Sequence, residues 1–120
     1  MPDQRTHAMI QLYVDDLRPI PEGYRGVRTV LEAIEILRTG QVSHLDLDHD
    51  MGEWGKLPEE LVPQGAEIPV RELTGMTILE WMAATGTWPE YVGVHTANYK
   101  AAEDMHAFLR ANDPRYKWPK

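Results

Sequence analysis

Short apolar runs alternate along the chain with segments of helical periodicity, and this alternation predicts the secondary structure. Apolar runs rich in β-branched and aromatic residues predict strands at 9–14, 24–29, 42–48 and 91–95. Apolar residues that recur every three or four positions predict helices at 30–38, 74–84 and 99–111. Strands joined by helices pair in parallel through right-handed crossovers, so the sequence predicts an open parallel α/β sheet flanked by helices.

Three segments depart from this alternation. Residues 16–23 contain two prolines and a glycine, so a loop replaces the helix expected after the first strand. Residues 52–74 contain three prolines and three glycines and predict a long, poorly structured insertion. The aromatic residues within 116–118 predict a short final strand or an aromatic latch. Because there is no repeat and no evident linker, residues 1–120 are predicted to form a single α/β domain.

Composition and charge exclude several classes of protein. The chain contains no cysteine, which excludes disulfides, thiolate catalysis and cysteine-bound zinc and is typical of a cytoplasmic protein. No stretch approaches the roughly 20 apolar residues that span a bilayer, and no signal-peptide pattern opens the sequence, so no membrane role is expected. The net charge of -7 argues against binding of duplex nucleic acid. It leaves small anionic ligands open, because a bound divalent ion reverses the local field.

Side chains that bind metal or move protons follow three of the predicted strands. They are Asp15 and Asp16 after the first strand, Asp46, Asp48, His49 and Asp50 at the third, and His95, Thr96 and Asn98 at the fourth. The carboxyl ends of parallel strands lie along one edge of the sheet, and ligands bind at that edge. Several uncompensated carboxylates there repel one another, so they indicate a cation, a shared proton or a basic ligand.

These motifs resemble those of receiver-type domains and, more closely, of the cyclic-phosphate-processing receiver-like family. The shared features are Asp15-Asp16-Leu17-Arg18-Pro19, Leu47-Asp48-His49-Asp50-Met51-Gly52, Thr74-Gly75 at the start of a helix, His95-Thr96-Ala97-Asn98, and Met105. The resemblance implies a receiver/flavodoxin-like open sheet of four to five strands, with the first helix shortened to a loop. It also implies a role in processing or binding cyclic phosphates on nucleotides or RNA ends. The lysine that follows the fifth strand of a receiver has no clear counterpart, since Lys117 lacks a convincing strand context.

Four acids are predicted metal ligands: Asp15, Asp16, Asp48 and Asp50. The resemblance implies metal binding by the first two, which would otherwise cap a turn. Neighbours in an extended chain point to opposite sides, so only one of these two is expected to face the centre of the pocket. Asp48 takes the place of the central receiver carboxylate rather than that of an exposed loop acid, while Asp50 is expected to bind metal or to orient His49. Carboxylates that leave room for water and phosphate suit Mg²⁺.

The predicted catalytic residues are His49, His95 and Asp48. The two histidines end separate strands, and histidine titrates near neutral pH, so the pair supplies a base and an acid. In hydrolysis of a cyclic phosphodiester, one ring would activate water and the other would protonate the leaving ribose oxygen. Asp46 lies deeper in its strand and is expected to accept hydrogen bonds from backbone or hydroxyl groups.

Three residues are predicted to bind the ligand: Arg18, Thr96 and Asn98. A guanidinium holds phosphate through two parallel hydrogen bonds and the resembling family carries arginine there, although an ordinary surface ion pair is the alternative for Arg18. Thr96 and Asn98 are predicted to contact phosphate oxygens or to cap the following helix. Trp54 is expected either to stack on a nucleobase or to pin the insertion to the rest of the domain.

Two classes of function follow. The first is an enzyme that hydrolyses a cyclic phosphate on a nucleotide or RNA end, by a divalent metal, Mg²⁺ in the first place, or by two histidines. The second is a degenerate receiver that binds a nucleotide, a phosphate or a protein partner without turnover. A third reading is a phosphoacceptor domain that uses Asp48.

Overall fold

Six strands, three helices and one 3-10 turn make up the part of the chain that the computed structural model describes, residues 9–116. The strands are β1 (Ile10–Val14), β2 (Arg25–Val27), β3 (Val42–Leu47), β4 (Glu53–Lys56), β5 (Val70–Leu73) and β6 (Tyr91–Val94). The helices are α1 (Val30–Leu37), α2 (Gly75–Thr85) and α3 (Tyr99–Asn112), and the 3-10 turn is Glu59–Leu61. Lys117 and Trp118, on which the predicted final strand or latch depends, lie outside the described residues.

The central sheet has four parallel strands in the order β2-β1-β3-β6. With its three helices, this sheet confirms the predicted receiver/flavodoxin-like α/β class. The strand predicted at 24–29 is the edge strand β2, and the segment between β1 and β2 is a loop without a helix, as predicted. The core lies between the sheet and the helices, where Leu12, Leu45 and Leu79 are fully buried. No helix within residues 9–116 is long and apolar enough to cross a membrane.

The carboxyl ends of the four parallel strands are aligned. Val14 pairs with both Val27 and Leu47, and Leu47 pairs with Val94. The first residue beyond β1, β3 and β6 donates its backbone N–H to the last residue of a neighbouring strand: Asp15 to Val27 (3.2 Å), Asp48 to Val14 (2.9 Å) and His95 to Leu47 (2.9 Å). These bonds continue the sheet by one residue and hold three polar side chains at one level of one edge.

The insertion at 52–74 contains regular structure, so the expectation of a poorly structured segment was wrong. β4 and β5 pair as an antiparallel hairpin, and the three prolines of the insertion fall between these strands, where they interrupt no ladder. The hairpin is tied to the rest of the fold because Glu53 Oε1 accepts a hydrogen bond of 2.6 Å from the backbone N–H of Val30, at the start of α1. An ion pair between Arg38 and Glu60 adds a second tie. Neither strand contains the kind of apolar run that predicted the equally short β6, so the sequence did not reveal the hairpin.

The start of α2 fixes the loop that follows β3. Thr74 caps the helix through a reciprocal pair of hydrogen bonds with Thr77. The next residue, Gly75, donates its N–H to the carbonyl of His49 (3.0 Å). A Cβ at position 75 would lie 2.0 Å from the carbonyl oxygen of Asp48 and 2.8 Å from Met105 Cε, so only glycine fits this contact. The Thr74-Gly75 motif therefore has a steric function: it lets a helix press against the backbone that carries Asp48.

Candidate functional site at the carboxyl edge of the sheet

A cavity of about 430 Å³ lies at the carboxyl edge of the parallel strands, within the size range of small-molecule sites. Its walls include Asp15, Asp16, Arg18, Asp48, Asp50 and Thr96. Larger concavities of about 840 Å³ along α3 and about 480 Å³ in the insertion lack these strand-end groups. Among the cavities found in residues 9–116, this one therefore collects most of the predicted site residues. His49, His95 and Asn98 are the predicted residues that its walls do not include.

Asp15 is the buried anchor of the site, with 1% of its surface exposed. Its Oδ1 accepts hydrogen bonds from the backbone N–H groups of Leu17 (2.9 Å) and Arg18 (2.8 Å), and its Oδ2 accepts from Arg18 Nη1 (2.8 Å) and His95 Nε2 (2.9 Å). Burial alone would raise the pKa of Asp15, but these four bonds outweigh burial and hold that pKa far below its usual value of 3.8. Asp15 is therefore a carboxylate whose acceptor positions are all in use.

Asp15, Asp16 and Asp48 each offer a carboxylate oxygen, and the three atoms lie within 4.8 Å of one another. The expectation that only one of Asp15 and Asp16 faces the pocket was wrong: both line the cavity, because the chain bends at Asp16 directly after β1. The side chain of Asp16 has no hydrogen-bond partner within residues 9–116. Asp48 accepts from the N–H of His49 at 2.7 Å through Oδ1, and its Oδ2 lies 3.6 Å from Arg18 Nη1.

This donor set fits a hard divalent cation. Asp16 and Asp48 keep open lone pairs on their oxygens, whereas Asp15 has none to spare. Mg²⁺ is commonly bound by one or two carboxylates while water and phosphate complete its octahedral shell. Asp16 and Asp48 are thus the residues able to hold such an ion directly, with Asp15 fixed behind them. Asp50, the fourth predicted ligand, is not part of the three-carboxylate group.

Arg18 is the cation of the cavity, and its side chain is 42% exposed. Its Nη1 donates to Asp15 Oδ2 and to the carbonyl of His95 (3.3 Å), which fixes one side of the guanidinium. Its Nε and Nη2 make no hydrogen bond within the described residues. The loop that carries Arg18 is braced by Arg28, whose Nη1 donates to the carbonyls of Asp15 (3.0 Å) and Arg18 (2.7 Å). Sequence reasoning missed Arg28, since nothing local indicates that the residue after β2 reaches this loop.

His95 lies between two carboxylates. Its Nδ1 is 2.6 Å from Asp46 Oδ1 and its Nε2 is 2.9 Å from Asp15 Oδ2. The ring also stacks on Tyr13, with centroids 4.4 Å apart and planes 5° from parallel. Burial by itself lowers the pKa of His95, but its hydrogen bonds to Asp46 and Asp15 outweigh burial and raise that pKa above its usual value of 6.5. The expected partners of Asp46, backbone or hydroxyl groups, were wrong: its partner is an imidazole that arrives from β6.

We expect His95 to titrate above pH 6.5 in chelator-treated protein, and the substitution Asp46→Asn to lower its pKa. The imidazolium bonded to two carboxylates stabilises the fold fully below pH 6.5, and this stabilisation is lost as pH rises through the raised pKa. NMR titration of the ring nitrogens measures both changes. His106 serves as the internal control because burial lowers its pKa. Titration of His95 at or below pH 6.5 would contradict the geometry.

His49 has a different environment from His95. Its Nδ1 is 2.7 Å from Asp50 Oδ1, so Asp50 orients this ring, which is one of the two roles expected for it. The side chain of His49 is 23% exposed. No hydrogen bond links His49 to His95 within the described residues, and each ring is engaged by its own carboxylate. The acid and base roles of the two histidines stay predictions.

Thr96 and Asn98 form the turn that leads into α3. Asn98 Oδ1 accepts from the N–H of Ala101 (3.1 Å), so its side chain caps the helix, the alternative to phosphate contact. Thr96 Oγ1 accepts from the N–H of Asn98 (3.1 Å) and remains in the cavity wall. Trp54 lies 72% exposed on β4, which rules out the alternative that it pins the insertion to the fold.

The parallel order β2-β1-β3-β6, the loop in place of a first helix, and a cavity built on strand-end acids together define a receiver-like domain. The model of one receiver family, the cyclic-phosphate processing receiver domain, matches residues 10–111. The chain therefore belongs to the cyclic-phosphate processing receiver domain family. No curated protein and no solved structure matches the chain.

Proposed function

We propose that this domain hydrolyses a cyclic phosphodiester on a nucleotide or an RNA end, assisted by a divalent cation, Mg²⁺ in the first place. One observation carries the proposal. In a single cavity, the guanidinium of Arg18 is anchored on Asp15 at 2.8 Å beside Asp16 and Asp48, two carboxylates with open acceptor positions. An arginine that can bind phosphate, next to carboxylates that can bind a divalent cation, can stabilise the charge that develops in phosphoryl transfer.

Arg18 would bind the phosphate. Asp15 and the carbonyl of His95 occupy Nη1, so the Nε and Nη2 side of the guanidinium is free to donate two parallel hydrogen bonds to phosphate oxygens. His95 and Arg28 support this role indirectly, because the first holds Asp15 and the second holds the backbone on either side of Leu17. An arginine fixed in this way loses little side-chain entropy when the ligand arrives.

Asp16 and Asp48 would hold the divalent cation. When bound, the ion would supply Lewis-acid polarisation of a phosphoryl oxygen and would lower the pKa of the attacking water. Water oxygen then bonds to phosphorus, one ribose oxygen leaves, and a proton passes from the water to the leaving oxygen, which yields a phosphate monoester. Solvent would relay that proton, because Asp16 and Asp48 would both be occupied in holding the cation. Asp15 stays ionised throughout because of its low pKa.

This route has more support than the two-histidine route. Both ring nitrogens of His95 are bonded to carboxylates, so the ring has no free position for substrate. His49 lies between two wall residues, but its own side chain is not in the wall. The ligand we propose is a small anionic one, since a domain with a net charge of -7 repels a long duplex.

A binding module without turnover is the second candidate. The observation that favours it is that neither His49 nor His95 lies in the cavity wall. The wall thus offers Arg18 for binding a phosphate but no histidine that could act as a general base. Aspartate phosphorylation at Asp48 is a third reading, because this residue lies in the central position with Arg18 Nη1 3.6 Å away.

A substrate panel tests these readings. The purified protein is incubated with 2′,3′- and 3′,5′-cyclic nucleotides and with an oligoribonucleotide that ends in a cyclic phosphate, in Mg²⁺ and in chelator. Monoester product that requires Mg²⁺ and is lost in Asp48→Asn is the expected result. Turnover that persists in chelator would contradict the cation, and binding without any product would support the binding module. Acetyl-phosphate labelling that disappears in Asp48→Asn would identify a phosphoacceptor instead.

A further inference from the structure

Large apolar side chains lie exposed beside the cavity. Leu17, in the cavity wall, is 84% exposed, and Trp54 is 72% exposed. Gly52, two residues before Trp54, is another residue of the cavity wall. The Cα atoms of these two residues are therefore at most about 7 Å apart. Exposure of single apolar residues is common, but an indole that is 72% exposed two residues from a polar cavity wall is not explained by the packing of the fold.

Trp54 is exposed on a segment that is held in place. The preceding residue, Glu53, bonds to the backbone of Val30 at 2.6 Å, and its partner across the hairpin, Leu73, is fully buried. Successive strand residues point to opposite faces, so Glu53 and Leu73 face the protein while Trp54 faces solvent. A rigid aromatic side chain with only two rotatable bonds binds at a low entropic cost. The hairpin thus presents a fixed planar surface.

We propose that Trp54 stacks on the nucleobase of a ligand whose phosphate is bound by Arg18. The stacking proposal rests on the proposed function in one respect, namely that Arg18 binds the phosphate. The ligand class is then a nucleobase joined through ribose to a cyclic phosphate, and a cyclic phosphate without a base loses the contact. A nucleobase is uncharged, so the carboxylates of the cavity do not repel it, whereas they would repel additional phosphate groups.

The size of the exposed face favours a base over a protein partner. The outer face of the hairpin carries two apolar residues, Trp54 and Val70. The other two residues on this face are charged, Lys56 and Glu72. Two apolar side chains fall far short of the roughly 800 Å² per partner that a stable protein interface buries. A single indole is the right size for one stacked base, and such a stack strengthens binding about 5- to 150-fold.

Calorimetric titration of the full chain tests the inference, in Mg²⁺ and in chelator. The probes are adenosine 2′,3′-cyclic phosphate, a short oligoribonucleotide with a 2′,3′-cyclic end, and ethylene cyclic phosphate, which has no base. Trp54→Ala is expected to weaken binding of both base-bearing probes about 5- to 150-fold, to leave the baseless probe unchanged, and to be rescued largely by Trp54→Phe. Val70→Ala, on the same hairpin face and 64% exposed, is the matched control and should change nothing.

Equal effects of Trp54→Ala on the base-bearing and baseless probes, or a loss confined to the oligonucleotide, would overturn the stack. Tyr99, at the start of α3, is also exposed (87%), so weaker binding in Tyr99→Ala with no change in Trp54→Ala would overturn it as well. Failure of the base-bearing probes to bind wild-type protein would also overturn it. Hydrolysis is measured separately on the same proteins. Trp54-dependent binding without turnover would uphold the stack and contradict hydrolysis, whereas turnover with no dependence on Trp54 would do the reverse.

Discussion

Replacing Asp15 by asparagine is expected to lower the free energy of unfolding by about 3 kcal/mol, the low end for a broken buried ion pair. Asp15 accepts four hydrogen bonds, two of them from the cationic partners Arg18 and His95. Asparagine keeps one side-chain oxygen, but its NH₂ group replaces the other. That hydrogen-bond donor would face N–H groups that now donate to Asp15. The low end of the range applies because Arg18 is 42% exposed, so water solvates part of the cation that loses its partner.

The neighbouring acid provides the matched control. Asp16 has no hydrogen-bond partner within residues 9–116, so Asp16→Asn is expected to change the unfolding free energy by less than about 0.5 kcal/mol or to raise it by relieving repulsion. Urea unfolding in chelator, read by circular dichroism, compares the two variants with wild type. Equal destabilisation by both substitutions would show that Asp15 is not the anchor.

The same comparison has a defined pH dependence. Because the pKa of Asp15 in the folded protein lies below its unfolded value near 3.8, its contribution is present above about pH 4 and is lost as pH falls through the lowered pKa. The difference between wild type and Asp15→Asn should therefore be constant between about pH 4 and the pH at which His95 titrates, and it should narrow in acid. A difference that widens below pH 4 would reverse the sign of the argument.

Replacing Arg18 by lysine is expected to reduce turnover of a cyclic nucleotide about 100-fold, the typical loss when one fixed donor to the reacting group is removed. Lysine keeps the positive charge next to Asp15 and Asp48, but it offers a point charge where the guanidinium offers parallel donors. If the domain binds without turnover, the same loss should appear in the affinity for phosphate-bearing ligands.

The control for Arg18→Lys is Arg38→Lys. Arg38 is similarly exposed and also ion-paired, to Glu60 and Glu35, but it lies outside the cavity. This substitution should leave turnover and binding near the wild-type level. Circular dichroism first checks that both variants are folded. Initial rates and ligand titrations then measure the effect of each substitution on turnover and on binding. Equal activity of the Arg18→Lys variant and wild type would remove Arg18 from phosphate binding.

Compensation of charge explains how several acids coexist at this edge. Asp15 is neutralised by Arg18 and His95, and Asp46 shares the same imidazole. For Asp16 and Asp48, the remaining compensation is a long contact of 3.6 Å between Arg18 Nη1 and Asp48 Oδ2. Within the three-carboxylate group, the uncompensated charge is therefore on Asp16 and Asp48, and Asp50, which contacts the His49 ring, lies outside that group. This is the physical reason for assigning the divalent cation to that pair.

Local patterns in the sequence predicted the parallel strands, the three helices and the loop in place of a first helix. They failed for the hairpin of the insertion, because Glu53–Lys56 and Val70–Leu73 lack a continuous apolar run. They also failed for the acid pair Asp15–Asp16, whose directions depend on the bend that begins at Asp16. Periodicity reports burial of one face of an element over several residues, so it carries no information on single turn residues.

The sequence by itself determined which residues end each strand, and parallel pairing is enough to bring Asp15, Asp48 and His95 to one edge. Only the tertiary structure decided what each group contacts there. Arg28 reaches the loop of Arg18, and Asp46 meets His95 across 49 positions of sequence. Such contacts depend on strand register and side-chain direction. Both are set when the whole sheet packs, so local sequence patterns do not predict them.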